Sequence, residues 1–172
     1  MTRRLVIDAN IAGAAGVSEA ATSFRSRVFL QAVRDVSHRV VITPAINAEW
    51  KEHMSQWTAE WFTAMTSRKK VERIVVEQDQ QLRACIRAAG FGTRQVLEVE
   101  KDAHLVEAAL ATDRVVCSLE VHAPRDFRRV AESHGPIRNL TWADINLEPW
   151  VIADWLRRGA RAKRAWQLRS AG

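Results

Sequence analysis

Three short runs of consecutive apolar residues constrain the fold of this chain more than any other feature. The runs are RLVI at residues 4–7, RVVI at residues 39–42 and RVVCS at residues 114–118. The first stops at Asp8, and the third stops just before Leu119 and Glu120. Unbroken apolar runs are typical of strands buried on both faces, which occur in parallel sheets covered by helices. We therefore predict an α/β fold with a central parallel sheet.

Segments with helical periodicity separate these strands. The clearest predicted helix covers residues 45–67, with Thr43 as its cap, Pro44 at its first position and apolar residues at spacings of three and four. Its apolar stripe consists of Ile46, Trp50, Met54, Trp57, Trp61 and Met65. Further helices are predicted at residues 18–36, 71–89, 93–111, 124–133 and 150–168, and a fourth strand at residues 136–140. This alternation predicts a three-layer α/β/α sandwich, to which a basic C-terminal helix is added.

The length of 172 residues predicts one core domain, and its boundary is expected near Leu147-Glu148-Pro149. Residues 1–147 would form this domain and residues 148–172 a basic helical tail. No apolar run approaches the roughly 18–20 residues of a membrane span, and the start of the chain lacks an export signal. We expect a cytoplasmic protein that does not contact membranes and keeps Cys85 and Cys117 reduced.

The positive charge of the chain is concentrated at its C-terminal end. The formal charge is +6, and residues 153–172 carry six basic residues against Asp154 alone. Such a basic end on a nearly neutral body predicts contacts with RNA phosphates. The predicted RNA-binding residues are Arg157, Arg158, Arg161, Lys163 and Arg164. A solvated helix face is an equal alternative, and Trp155 and Trp166 could stack on bases or pack on the body.

Four acids are placed where the predicted sheet would bring them together. Asp8 follows the first strand and Glu120 the third. Glu49 lies near the start of the helix predicted at residues 45–67, and Asp102 lies on the helix at residues 93–111 that leads into the third strand. Two carboxylates about 5 Å apart repel by roughly 3 kcal/mol at an effective dielectric near 20, so a cation is expected between them. Oxygen ligands suit Mg²⁺ or Mn²⁺, and two such ions support phosphodiester cleavage. The alternative is that each acid only caps a helix or closes a turn.

These motifs resemble the acidic quartet of PIN-domain ribonucleases, including VapC-type toxins. The resemblance covers residues 4–146 and rests on "VIDAN" with Asp8 and Asn10, "TPAINAEW" with Glu49, "EKDAHLVEAAL" with Asp102, and "VVCSLE" with Ser118 and Glu120. It implies a PIN-like fold and a Mg²⁺- or Mn²⁺-dependent endoribonuclease. Asp8, Glu49, Asp102 and Glu120 would be the catalytic metal ligands, with Asn10 and Ser118 as supporting polar residues.

The fourth acid departs from the family pattern, in which aspartate is more usual than glutamate. The longer side chain of Glu120 leaves Asp126 as a competitor for this role. His104 lies two positions after Asp102, and residues i and i+2 do not share a face of a helix. We therefore do not assign His104 a catalytic role. A cognate antitoxin and a second copy of the chain are the protein partners to consider. The main alternative is a catalytically inactive PIN-fold module that binds RNA or protein, and a third interpretation is a nuclease for DNA flaps.

Overall fold

The computed structural model describes residues 1–169, and it has the α/β architecture that the sequence predicts. The strands are β1 (Arg4–Ile7), β2 (Arg39–Ile42), β3 (Val71–Arg73), β4 (Val115–Ser118) and β5 (Thr141–Asp144). The α-helices are α1 (Ala9–Ala14), α2 (Ala21–Val36), α3 (Pro44–His53), α4 (Gln56–Ser67), α5 (Gln80–Ala88), α6 (Thr93–Leu110), α7 (Ala123–Ser133) and α8 (Pro149–Arg157). Two short 3₁₀ helices cover Gly135–Ile137 and Arg164–Trp166.

The five strands form one parallel sheet in the order β3-β2-β1-β4-β5. Val6 at the centre of β1 pairs with Val41 of β2 and Val116 of β4, and all three side chains are fully buried. The chain moves from β1 towards β3 and then crosses to β4 and β5. Right-handed crossovers therefore place α1 to α4 on one face of the sheet and α5 to α7 on the other. The predicted α/β/α class is confirmed, and the switch point lies between β1 and β4.

The single helix predicted over residues 45–67 is wrong, because two helices occupy this segment. Met54 is extended (φ −62°, ψ 129°) and ends α3. The hydroxyl of Ser55 accepts a hydrogen bond from Thr58 N (3.1 Å), which caps α4, and donates one to the carbonyl of Ala15 (2.5 Å). Gly13 allows the end of α3 to approach α1, since a Cβ there would lie 2.9 Å from the His53 carbonyl oxygen. The break thus follows from packing against α1, which helical periodicity does not register.

The helix predicted over residues 71–89 is also wrong in its first half. Val71–Arg73 forms the edge strand β3, which pairs with β2. Helix α5 begins only after Asp79, whose carboxylate accepts a hydrogen bond from Leu82 N at 2.9 Å. The run VERIVV also suits a strand, because its β-branched residues have high strand propensity.

Two further predictions near the C-terminal half need correction. The strand predicted at residues 136–140 lies instead at Thr141–Asp144, and the 3₁₀ helix Gly135–Ile137 precedes it. Trp142 of this strand stacks on Phe127 of α7, with ring centroids 5.6 Å apart. The tail helix ends at Arg157 rather than at residue 168. Gly159 and Ala160 then have positive φ angles (84° and 48°), so the chain turns sharply and continues without a long helix.

Residues 148–169 pack on the body of the protein. The buried residues Ile152, Trp155 and Leu156 belong to α8, which packs against α2, and Leu168 is also fully buried. The division of the chain at residue 147 stays a prediction.

Cys85 and Cys117 are free thiols. No helix among residues 1–169 is both long enough and apolar enough to cross a bilayer.

Most of the tryptophan side chains lie in the core. Trp50 and Trp61 are almost fully buried, and their indole N–H groups donate to the carbonyls of Ile7 (3.0 Å) and Leu30 (2.8 Å). These bonds tie α3 to β1 and α4 to α2. By contrast, Phe24 of α2 is half exposed. The buried face of α2 includes Phe29, Leu30 and Val33.

Replacing Ser55 by alanine removes both the cap of α4 and its bond to the Ala15 carbonyl. We expect Ser55→Ala to lower the free energy of unfolding by about 1–2 kcal/mol, the usual effect of losing a helix cap. Urea unfolding followed by circular dichroism measures this change. Ser67→Ala, which removes an exposed hydroxyl from the last turn of the same helix, should change stability by less than about 0.5 kcal/mol. Equal effects of both substitutions would contradict the role assigned to Ser55.

Candidate active site

The four acids predicted to converge line one pocket at the carboxyl edge of the sheet. The pocket has a volume of about 480 Å³ and lies at the switch point between β1 and β4. Its lining residues are Asp8, Ala9, Asn10, Gly13, Ala14, Glu49, His53, Lys101, Asp102 and Glu120. Clefts at this position of a parallel sheet are where ligands of α/β proteins bind. We call this cleft the acidic pocket.

Asp8 is held rigidly at the end of β1. It is the N-cap of α1, and its carboxylate accepts hydrogen bonds from Asn10 N (3.2 Å) and from the hydroxyl of Ser118 (2.7 Å). Burial nevertheless raises the pKa of Asp8 above its ordinary value, although these two hydrogen bonds oppose the increase. The carboxylate therefore remains poorly solvated at the base of the pocket.

Asn10 and Ser118 support Asp8 by joining the ends of β1 and β4. The amide of Asn10 donates to the Ser118 hydroxyl (3.1 Å), and its oxygen accepts from Leu119 N (3.2 Å). The Ser118 oxygen also accepts from Glu120 N at 2.9 Å. Both residues lie where the sequence predicts supporting polar groups, and their contacts orient Asp8 and Glu120.

His104 is a residue of the site that the sequence reasoning left out. It does not share a helix face with Asp102, but it extends from α6 towards α3, where its Nε2 lies 3.2 Å from a carboxylate oxygen of Glu49. Its Nδ1 lies 2.7 Å from the carbonyl oxygen of Lys101, which can only accept a hydrogen bond. The Nε2–H is not directed closely at the carboxylate, although the two groups lie within the distance of an ion pair. No local sequence signal indicates a contact between two helices so far apart in the chain.

Glu49 and His104 each change the pKa of the other. His104 lowers the pKa of Glu49 because its Nε2 lies within hydrogen-bonding distance of the carboxylate and because its ring carries positive charge. Burial of Glu49 opposes this decrease. Burial by itself would lower the pKa of His104, but the contact and charge of Glu49 outweigh it and raise that pKa. The two side chains therefore favour the ionised form of each other, and Glu49 is the best neutralised acid of the pocket.

Asp102 is the carboxyl group of the pocket whose ionised form is least favoured. Burial, followed by the negative charge of Asp8, raises its pKa to about 6. The positive charges of His104 and Lys101 lower this pKa only in part. The two carboxylates line the same pocket, and their negative charge is only partly compensated at neutral pH.

Glu120 and Asp126, the competitors for the fourth acidic position, lie in different places. Glu120 lines the acidic pocket, and one of its oxygens accepts a hydrogen bond from His122 N at 2.8 Å. Asp126 lines an adjoining cavity of about 400 Å³ and accepts from the Gln95 amide at 2.9 Å. Glu120 and Asp102 line both cavities, whereas Asp126 does not line the acidic pocket. The geometry favours Glu120, and the identity of the fourth acid stays a prediction.

The donor set of the acidic pocket fits a hard divalent cation in its chemistry. Carboxylate and amide oxygens are the ligands that Mg²⁺ and Mn²⁺ prefer, and a cation beside Asp8 and Asp102 would relieve their repulsion. As these side chains stand, however, no group of three or more histidine, cysteine, aspartate or glutamate residues within 1–169 is arranged to hold a metal ion. The contact between Glu49 and His104 engages one of the carboxylates that such a group would need.

The basic tail does not reach the acidic pocket. Its attachment points are residues at the amino edge of the sheet: His38, whose Nε2 lies 3.0 Å from the Leu156 carbonyl, and Leu140, whose carbonyl accepts from Leu168 N at 3.1 Å. The two edges are separated by strands of four residues, roughly 13 Å at 3.3 Å per residue. The cations that line the acidic pocket are instead Lys101 and, when protonated, His53.

Comparisons of the chain with protein-family models, with curated proteins and with solved structures give no match. The resemblance to PIN-domain ribonucleases therefore stays a prediction that rests on the motifs and their order.

Replacing Asp102 by asparagine should stabilise the protein in a pH-dependent way. The folded-state pKa of about 6 lies above the ordinary value of 3.8, so ionising Asp102 costs stability as the pH rises through this range. We expect Asp102→Asn to raise the free energy of unfolding by about 2–3 kcal/mol at pH 8 and by about half as much at pH 5. Urea unfolding at both pH values, without divalent ions, measures the difference. Asp35→Asn, at an exposed position of α2, is the control and should show no such dependence.

Proposed function

We propose that this protein is an endoribonuclease that uses Mg²⁺ or Mn²⁺ to cleave RNA phosphodiester bonds. The observation that carries the proposal is the grouping of Asp8, Glu49, Asp102 and Glu120 around one pocket at the switch point of a parallel sheet. The raised pKa values of Asp8 and Asp102 support it, because they indicate negative charge that a bound cation would compensate. The motif resemblance to PIN-domain ribonucleases supports it independently.

Asp8 and Asp102 would hold the cation, and Glu49 and Glu120 would complete its surroundings. A divalent ion in such a place supplies Lewis-acid stabilisation of charge on the phosphoryl oxygens. Asn10 and Ser118 keep Asp8 in position through the hydrogen bonds that join β1 to β4. The buried core beneath the pocket keeps these groups rigid, which is what preorganised electrostatic catalysis requires.

Positive charge for the substrate phosphate would come from the rim of the pocket. Lys101 is exposed and lines both the acidic pocket and the adjoining cavity, so its ammonium group can contact phosphate oxygens of a bound strand. The sequence-based hypothesis gave this task to the basic tail. Because the tail lies at the amino edge of the sheet, we assign this task to Lys101 instead.

A catalytically inactive binding module is the second candidate function. The specific observation in its favour is that Glu49 is paired with His104, and that no three potential ligands within residues 1–169 converge. An antitoxin partner, a homodimer and a cytoplasmic location stay predictions under either function.

Replacing Asp8 by asparagine should abolish Mn²⁺-dependent RNA cleavage. Asparagine can retain the hydrogen bond from Asn10 N but removes the negative charge next to Asp102, so the melting temperature should stay unchanged or rise. Gel analysis of a labelled RNA incubated with Mn²⁺ measures cleavage, and Glu60→Gln, an exposed acid of α4, serves as the control. Retained cleavage in Asp8→Asn would refute the assignment of the acidic pocket as the catalytic site.

A metal titration separates the nuclease from the inactive module. If the acidic pocket binds Mn²⁺, the ion should raise the melting temperature of the unaltered protein, since a ligand at 100 times its Kd adds about 2.7 kcal/mol of stability. Differential scanning fluorimetry across a range of Mn²⁺ concentrations measures the effect. Asp8→Asn should shift the response to higher concentrations, whereas Glu60→Gln should not. An identical lack of response in all three proteins would favour the inactive module.

A further inference from the structure

The residues after α8 form a strap across the amino edge of the sheet. The carbonyl of Gly159 accepts from Arg3 Nε (3.4 Å) ahead of β1, and Gln167 forms an antiparallel bridge with Thr141 at the start of β5. We call residues 158–169 the amino-edge strap. Its path runs from the beginning of β1 and β2 to the beginning of β5, at the opposite edge of the sheet from the acidic pocket.

Buried contacts hold the strap in one conformation. The ring of His38 is fully buried, with Nδ1 accepting from Arg3 N at 2.9 Å and Nε2 donating to the Leu156 carbonyl. The indole N–H of Trp155 donates to the Arg161 carbonyl (2.8 Å), and the Trp155 ring packs edge to face against Trp166 with centroids 5.1 Å apart. The backbone that carries the basic side chains is therefore anchored on the core.

The basic side chains of the strap are exposed and mostly unneutralised. Among residues 1–169, only Arg158 of the five predicted tail cations pairs with an acid, its Nε lying 2.7 Å from Asp154. Lys163 is held over the face of the Trp166 ring at 4.1 Å, and Arg161 and Arg164 extend into solvent. Arg157 is separate from these, because it lines a different groove between α2 and α8.

A concave site lies among these cations. A cavity of about 670 Å³ is lined by the side chains of Arg158, Arg161 and Lys163 together with Trp155, Ala162 and Asp154. Three cations against one acid give this cavity a positive balance. Guanidinium groups bind phosphate oxygens in a bidentate manner, which makes such a surface suited to a phosphate backbone.

We propose that Arg158, Arg161, Lys163 and Arg164 form a second RNA-binding site, which holds the phosphate backbone of a single strand away from the acidic pocket. An anionic membrane fits less well. Of the large apolar residues of the strap, Leu168 is fully buried, and the partly buried Trp166 packs against Trp155 and beneath Lys163, which leaves no continuous apolar face to insert into lipid. The choice of RNA among polyanions rests on the proposed function. The second site itself does not require catalysis, because it is distinct from the four acids.

The test is RNA binding without divalent ions, measured by fluorescence anisotropy of a labelled single-stranded RNA in EDTA at several salt concentrations. Arg161→Ala with Arg164→Ala should weaken binding several-fold and reduce the magnitude of the slope of log K against log salt by about 1.4, since each of the two phosphate contacts on a single strand contributes roughly 0.7. Arg161→Lys with Arg164→Lys keeps the charge and should retain most of the binding. Arg68→Ala with Arg87→Ala, two exposed arginines outside the strap, removes the same charge and should have little effect.

The outcomes distinguish this inference from the proposed function. Circular dichroism melting first checks that the strap variants fold like the unaltered protein. Equal RNA binding by the strap and control variants would overturn the second site, even if Mn²⁺-dependent cleavage occurs. Strap-dependent binding to phosphatidylserine vesicles with no strap-dependent binding to RNA would also overturn it. Strap-dependent RNA binding without any cleavage would support the second site and count against the nuclease.

Discussion

Negative charge that is only partly compensated at the carboxyl edge of the sheet is the constraint on which the candidate site depends. Asp8 and Asp102 are half-buried in the same pocket, and the pKa of Asp102 is raised first by burial and then by the charge of Asp8. Such a pair is stable in a folded protein only if its surroundings supply compensation. Here the compensation is partial. Ser118 donates a hydrogen bond to Asp8, and His104 and Lys101 supply positive charge to Asp102.

The same constraint explains the position of His104. Glu49 lies on α3 and would add a further negative charge to the pocket, but the histidine on α6 pairs with it. The pair leaves Asp8 and Asp102 as the groups that most need a counter-ion. A divalent cation and the His104 side chain thus offer Glu49 two alternative partners. In this conformation the acids surround a pocket without converging on one point, and the contact with His104 engages one of them.

Opposite charges occupy opposite edges of the sheet. The acids lie where the parallel strands end, whereas the amino-edge strap carries its arginines across the place where they begin. This separation reduces the neutralisation of either set by the other, because the two edges are roughly 13 Å apart and the Debye length at physiological ionic strength is about 8 Å. Long-range attraction of a polyanion to the strap can therefore coexist with an acidic pocket that would by itself repel it.

The sequence by itself determined the elements whose evidence is local. The apolar runs of β1, β2 and β4 and the polar residues that follow them predicted the parallel sheet and its acidic edge, because strands buried on both faces must be continuously apolar. The periodicity of residues 93–111 likewise predicted α6 to within one residue, and with it the placement of Asp102.

Only the tertiary structure decided the features that depend on contacts between distant segments. Helix α4 is separate from α3 because Ser55 bonds to the Ala15 carbonyl, and Val71–Arg73 is a strand because β2 offers it an unpaired edge. His104 belongs to the site because α3 packs beside α6, and the basic tail lies at the amino edge because His38 and Leu140 bind its backbone. Periodicity records which side of a segment is apolar. It does not record which segment will cover that side, and that choice placed the charges of this protein.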